Sequence, residues 1–147
     1  MYLLDTNVVS RLDPRRRGGA AELVGWIGRN GAHLFLSALT LMELEAGILK
    51  LRREDKRERA DELTTLAGAI LDDFADRVLA VDATVAMEAA RLAEHARPTT
   101  LDAIDLLIAG TAKVHGLTVL TNNLRHFEPT GVPALDPFAS LPPDAVT

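Results

Sequence analysis

The chain contains no cysteine, which excludes disulfides and thiolate metal centres and suits a reducing compartment. No stretch approaches the roughly 20 uninterrupted apolar residues of a membrane span. At the start, Tyr2-Leu3-Leu4 runs directly into Asp5, without the basic leader and apolar run of a secretory signal. A cytoplasmic protein with no membrane contact is therefore expected. Excess positive charge is missing too: 16 Lys and Arg face 21 Asp and Glu, for a net charge of −5. Proteins that coat nucleic acid through bulk charge are usually strongly basic, so that class is disfavoured. What remains is an ordinary globular balance, 48% apolar and 25% charged over 147 residues, enough for one domain with a core.

The cations that are present gather in two places. Arg11, Arg15, Arg16 and Arg17 lie beside Gly18-Gly19 in a loop and are candidates for touching phosphate. Lys50, Arg52, Arg53, Lys56, Arg57 and Arg59 are interleaved with Glu54, Asp55 and Glu58. That mixture reads as a solvated helix face.

Hydropathy patterning predicts short strands at Tyr2 to Leu4, His33 to Leu36, Val78 to Val81 and Thr118 to Leu120, with a weaker one at Val132 to Leu135. Helices are predicted from Thr6 or Asn7, as cap, to Leu12, and from Ala20 to Arg29. Ser37 caps a further helix over Ala38 to Leu51. Leu63, Leu66, Ala67, Ile70, Leu71 and Phe74 mark an amphipathic helix over Arg59 to Phe74. Asp82 caps a helix to Arg97, and Pro98 interrupts before a helix over Leu101 to His115 that ends at Gly116. Strands alternating with helices indicate a parallel sheet covered on both faces, an α/β three-layer fold. The domain spans residues 1–139, and 140–147, with two prolines, reads as a loose tail.

Ligand crevices of such sheets lie at the carboxyl ends of the strands. Asp5 ends the first strand, Glu43 lies early in the helix after the second, and Asp105 lies early in the helix before Thr118 to Leu120. Thr121-Asn122-Asn123 leaves the end of that strand. Four segments thus bring polar side chains to one edge. Each acid also has a plain structural use: Asp5 could be a helix cap and Glu43 an exposed helix residue. Thr40, Glu43 and Gly47, however, form an i, i+3, i+7 stripe, while Glu45 lies about 200° further round. Asp105 sits between Ala103-Ile104 and Leu106-Leu107-Ile108-Ala109, where an unpaired carboxylate is costly. Asp102, three residues after Thr99 as cap, fits a helix start. Gathered carboxylates stay ionised only beside a cation, and oxygen ligands favour Mg²⁺ or Mn²⁺. The chemistry implied is phosphodiester hydrolysis by a metal-activated water.

Three segments, Tyr2-Leu3-Leu4-Asp5-Thr6-Asn7, Ser37 to Leu44, and Asp105 to Ala112, resemble the PIN domain in order and spacing. His115 to Asn123, followed by Phe127 and Gly131-Val132-Pro133, resembles the closing signature of the VapC toxins. The resemblance covers nearly the whole chain and implies a three-layer PIN fold with a central parallel sheet. It implies a Mg²⁺- or Mn²⁺-dependent endoribonuclease, a homodimer, and inhibition by a VapB-type antitoxin whose tail enters the active site. Carried over by motif, Asp5, Glu43 and Asp105 are the catalytic and metal-binding acids. Asn123 stands where many members carry a fourth Asp; it can ligate through its amide oxygen but adds no charge. Thr6, Asn7, Thr40 and Thr121 resemble groups that orient the acids by hydrogen bonding, with Asp102 in a secondary role. Two rivals are a phosphotransfer domain with Asp5 as nucleophile and a non-catalytic PIN-fold module binding RNA or protein. The first lacks a second Asp two residues on and a lysine after the later strand. The second rests on the missing fourth acid alone.

Overall fold

A computed structural model describes residues 1–16, 18 and 20–146. Among these residues, five short strands form one parallel sheet: β1 (Tyr2–Leu4), β2 (Leu34–Ser37), β3 (Val78–Leu79), β4 (Thr118–Leu120) and β5 (Ala134–Leu135). Their order is β3-β2-β1-β4-β5. The expected three-layer α/β architecture is what the chain adopts. Register matters most for function. Leu4 pairs with Leu36 on one side and with Leu120 on the other. The residues that follow these partners, Asp5, Ser37 and Thr121, therefore stand in a row at the carboxyl rim.

Successive strand side chains point to opposite faces, and the chain uses this to build two cores. Leu4, Leu34, Leu36 and Leu120 point to one face, where they meet Trp26, Ile27, Ile70 and Phe74. These come from α2 (Ala21–Asn30) and α4 (Arg57–Asp73) and its C-terminal end. Leu3 and Val119 point to the other, against Leu92, Ile108, Ala109 and Phe127. These lie on α5 (Ala83–His95), α6 (Ala103–His115) and α7 (Leu124–Phe127). The remaining helices are α1 (Thr6–Val9), which continues as a 3-10 turn over Ser10–Leu12, and α3 (Ala38–Arg53). Helix α6 lies tightly on α5: a Cβ at Gly110 would stand 3.0 Å from the Val85 carbonyl oxygen. This contact sets the depth of the helix that carries Asp105. Gly116 ends the same helix at φ +65°, a backbone state natural to glycine.

Several local expectations shift. The cap of α1 is Asp5 rather than Thr6 or Asn7: its carboxylate accepts the Thr6 N–H. Helix α6 begins two residues late, and Asp102, not Thr99, is its cap, accepting the Ile104 N–H at 2.8 Å. In both runs several capping residues compete, and the one nearest the first orphan N–H wins. Strand β3 is shorter than read, because β2 offers it only Leu36 and Ser37 as partners. Of the segment 140–147, Thr147 lies outside the described residues, and the rest includes contacts to α2. Asn30 donates to Asp144 at 2.8 Å, accepts the Ala145 N–H at 2.7 Å, and Leu141 packs on the first core.

Candidate active site

Asp5 is only 5% exposed, yet its carboxylate is fully engaged. Oδ1 accepts the Thr6 N–H at 2.8 Å, and Oδ2 accepts from Asn7 Nδ2 at 3.0 Å and Thr121 Oγ1 at 2.8 Å. Thr121, fully buried at the end of β4, also accepts from Asn7 Nδ2 and from the Asn123 N–H. One hydroxyl thus ties the ends of β1 and β4 together. Asn7 completes the link by accepting the Asn122 N–H at 3.1 Å through its Oδ1.

Glu43 joins from α3. Thr6 Oγ1 donates to its Oε1 at 2.7 Å and lies 3.3 Å from the Oγ1 of buried Thr40. Thr6 follows Asp5 directly, so this pair brings α3 to the β1 rim. Glu45 is exposed, as its position on the helix requires. Asp105 joins from the start of α6. Burial raises its pKa first, and the charge of Asp5 raises it further, against the lowering effect of His126. Asp5 and Asp105 therefore feel each other across the rim. Asp102 adds a smaller repulsion from its cap position; that cap bond is its observed use.

Sequence reading missed His126. Its Nδ1 lies 2.9 Å from Asp105 Oδ2, three residues beyond Asn123 and one turn into α7. The signal was available: His126 immediately precedes Phe127, the buried anchor of α7, so the turn that seats Phe127 directs its neighbour toward α6. Asn123 is half-buried at the N-cap of α7, where its side chain makes no cap hydrogen bond. Its amide is therefore free of the helix end.

The donors are all oxygens plus one imidazole, and Asp105 feels the charge of a second carboxylate while, among the described residues, no arginine or lysine pairs with it. Such a set fits a hard divalent cation. Among the described residues, no three Asp, Glu or His side chains are already drawn together as ligands. Hydrogen bonds from Thr6, Asn7 and Thr121 hold the acids instead. Beside Asn7 lies a cleft of about 410 Å³ lined by Asn7, Ser10, Arg11, Arg15, Arg16 and Asn122. Arg17, the fourth arginine of that run, lies outside the described residues.

The PIN domain profile matches residues 2–131. The plasmid stability protein StbB of Pseudomonas syringae pv. tomato is 34% identical, with 94% of this chain and 99% of that one covered. Toxin FitB of Neisseria gonorrhoeae is 35% identical over the same shares of the two chains. VapC ribonuclease Y4jK of Sinorhizobium fredii is 31% identical, with 94% and 98% covered. Among solved structures, FitAcB from Neisseria gonorrhoeae superposes with a TM-score of 0.77 at 34% identity, covering 94% of this chain and 99% of that one. DNA-bound VapBC from Salmonella typhimurium superposes with a TM-score of 0.74 at 28% identity, covering 92% and 96%. With the sheet order, the rim acids and these matches in agreement, the chain belongs to the PIN-domain family and, within it, to the VapC-type toxins.

Proposed function

We propose that this chain is a metal-dependent endoribonuclease toxin, hydrolysing RNA phosphodiester bonds at the rim and neutralised by a VapB-like antitoxin. The ribonuclease and antitoxin parts of this reading are supported by relatives named VapC ribonuclease and by solved VapBC and FitAB complexes. The metal part is supported by one observation above the rest: Asp105 is half-buried within reach of the charge of Asp5, and burial and that charge raise its pKa although His126 beside it works the other way. Asp5, Glu43 and Asp105 would hold Mg²⁺ or Mn²⁺, with the Asn123 amide oxygen as a fourth, uncharged donor. When bound, such an ion lowers the pKa of a coordinated water and stabilises charge on a phosphoryl oxygen.

The chain's own residues position that chemistry. Thr121 and Asn7 fix the plane of the Asp5 carboxylate. Thr6 fixes Glu43, and His126 fixes Asp105. Ordering bonds of this kind keep donors aimed at one point, and losing one typically costs about 10–100-fold in metal affinity or activity. Replacing Asn123 with Asp would add a charge and tighten metal binding. A homodimer belongs to the same reading.

The direct test uses the purified chain, freed of antitoxin, with a labelled RNA and Mn²⁺. Cleavage that stops with EDTA and with Asp5→Asn is the expected outcome. RNA bound and released intact, or cleavage persisting in Asp5→Asn, would overturn it.

A further inference from the structure

The basic run near the cleft divides by how each arginine's charge is used. Asp13 is 3% exposed and is the anchor of the segment. Arg59, from α4, pairs with it, and the Arg15 N–H donates to its Oδ1 at 3.1 Å. Arg16 Nε lies 4.0 Å from the same carboxylate. Glu62, one turn beyond Arg59, takes Arg15 Nη2 at 2.7 Å and Arg59 Nη1 at 3.1 Å. The turn Pro14–Arg16 is thus braced against α4 by acids that absorb the charge of Arg15 and Arg59 and part of that of Arg16.

Arg11 is different. Among the described residues it makes no ion pair, and only its Nη1 is engaged, donating to the Arg16 carbonyl at 2.8 Å. Its guanidinium lies over the Phe138 ring, 5.2 Å from the centroid, which holds the plane by cation–π attraction while leaving the charge unneutralised. It lines the 410 Å³ cleft together with Asn7 and Asn122. Asn7 in turn donates to Asp5 Oδ2 at 3.0 Å. The cleft is therefore joined to the acid rim through one side chain.

We propose that Arg11 is, among the described residues of this basic run, the one that binds the substrate, seating a backbone phosphate of the RNA next to the one cut, while Arg15 and Arg59 brace the turn that presents it. The proposal rests on the ribonuclease reading. An oriented, uncompensated guanidinium matches the planar, bidentate recognition of a phosphodiester. An arginine already paired to a carboxylate has part of its charge compensated and some of its donors committed, so it offers a phosphate less.

The test is binding in EDTA, where no cleavage is in play. A fluorescein-labelled single-stranded RNA oligonucleotide is titrated with the full chain at several salt concentrations and read by anisotropy. Arg11→Ala should weaken binding about ten-fold at low salt and reduce the slope of log affinity against log salt by about 0.7, the value of one lost contact on a single strand. Arg11→Lys should keep that slope and recover part of the affinity. Arg15→Ala should leave the slope unchanged, and thermal melts of all three check folding. Absence of binding by the unaltered chain, an unchanged slope in Arg11→Ala, or equal losses in Arg11→Ala and Arg15→Ala would overturn the assignment. So would displacement of the RNA by polyglutamate as readily as by unlabelled RNA, which would make the cleft an acidic-peptide site. Cleavage with Mn²⁺ is scored separately. Cleavage with no Arg11 effect removes this inference alone, and Arg11-dependent binding without cleavage removes the ribonuclease reading alone.

Discussion

Asp13 and Asp105 are both carboxylates withdrawn from water, with side chains 4% and 20% exposed, and the protein treats them in opposite ways. Burial pushes Asp13 upward, but hydrogen bonds from Arg59 and the Arg15 N–H and the charges of Arg59 and Arg16 outweigh it, so its pKa is lowered. Burial pushes Asp105 upward too, and there Asp5 adds to the effect while His126 only partly offsets it, so its pKa is raised. The first acid carries its own cation and is finished as folded. The second is left short of one. An acid that the fold keeps and does not neutralise is a candidate for a ligand held only in the working state.

The largest expected difference between the two is in activity. Asp105→Asn, like Asp5→Asn, should lower RNA cleavage with saturating Mn²⁺ by at least about 100-fold, beyond the roughly 10–100-fold typical of an orienting partner. A single-turnover assay finding Asp105→Asn within ten-fold of the unaltered chain would erase the contrast. Next comes stability at the other acid. Asp13→Asn leaves Arg59 half-buried without its main partner and should cost about 3 kcal/mol in urea unfolding, the low end for a broken buried pair because Arg59 keeps some exposure and Glu62. A loss under about 1 kcal/mol, the range of a surface pair, would mean the brace is not structural.

His126→Ala should weaken Mn²⁺ binding about 10–100-fold by calorimetry, with the fold intact. Unchanged affinity would leave the 2.9 Å contact without a role. The smallest effect concerns stability without metal. A raised folded pKa means Asp105 supports the fold when protonated; that contribution is present below the ordinary value of 3.8 and is lost as pH rises through the folded value. Asn mimics the protonated form, so metal-free Asp105→Asn should melt slightly higher than the unaltered chain at pH 7, with the gap closing toward pH 3.8. Asp13 runs the other way: its support is present above 3.8 and lost as pH falls through its lower folded value. Melting curves across pH that showed both acids moving in one direction would break the comparison.

Much of the rim was legible in the residues. Tyr2-Leu3-Leu4 ending at Asp5, and Thr118 to Leu120 ending at Thr121, placed polar groups at strand ends because each short run stops at a polar residue. The Thr40 and Glu43 stripe survived folding, and the bond from Thr6 to Glu43 gives it a reason. Caps were less legible, because Asp5-Thr6-Asn7 and the stretch from Thr99 to Asp102 each offer several side chains able to accept the same N–H. Partners far along the chain were the least legible. Arg59 meets Asp13 across 46 positions with no local sign of it, and His126 meets Asp105 across 21, with its place beside Phe127 as the one hint. Within the mixed run around Arg59, its neighbours Arg52, Lys56 and Arg57 do form exposed pairs. Arg59 alone turns inward.

By itself the sequence determined the strand and helix alternation, the two apolar faces of the sheet, and the acids that end or begin its elements, because those follow from periodicities of two and 3.6 residues acting over short range. Only the tertiary structure decided which acid is neutralised and which is not. That outcome depends on where arginines, imidazoles and hydroxyls from distant segments come to rest, and on how much water the packing removes around each carboxylate.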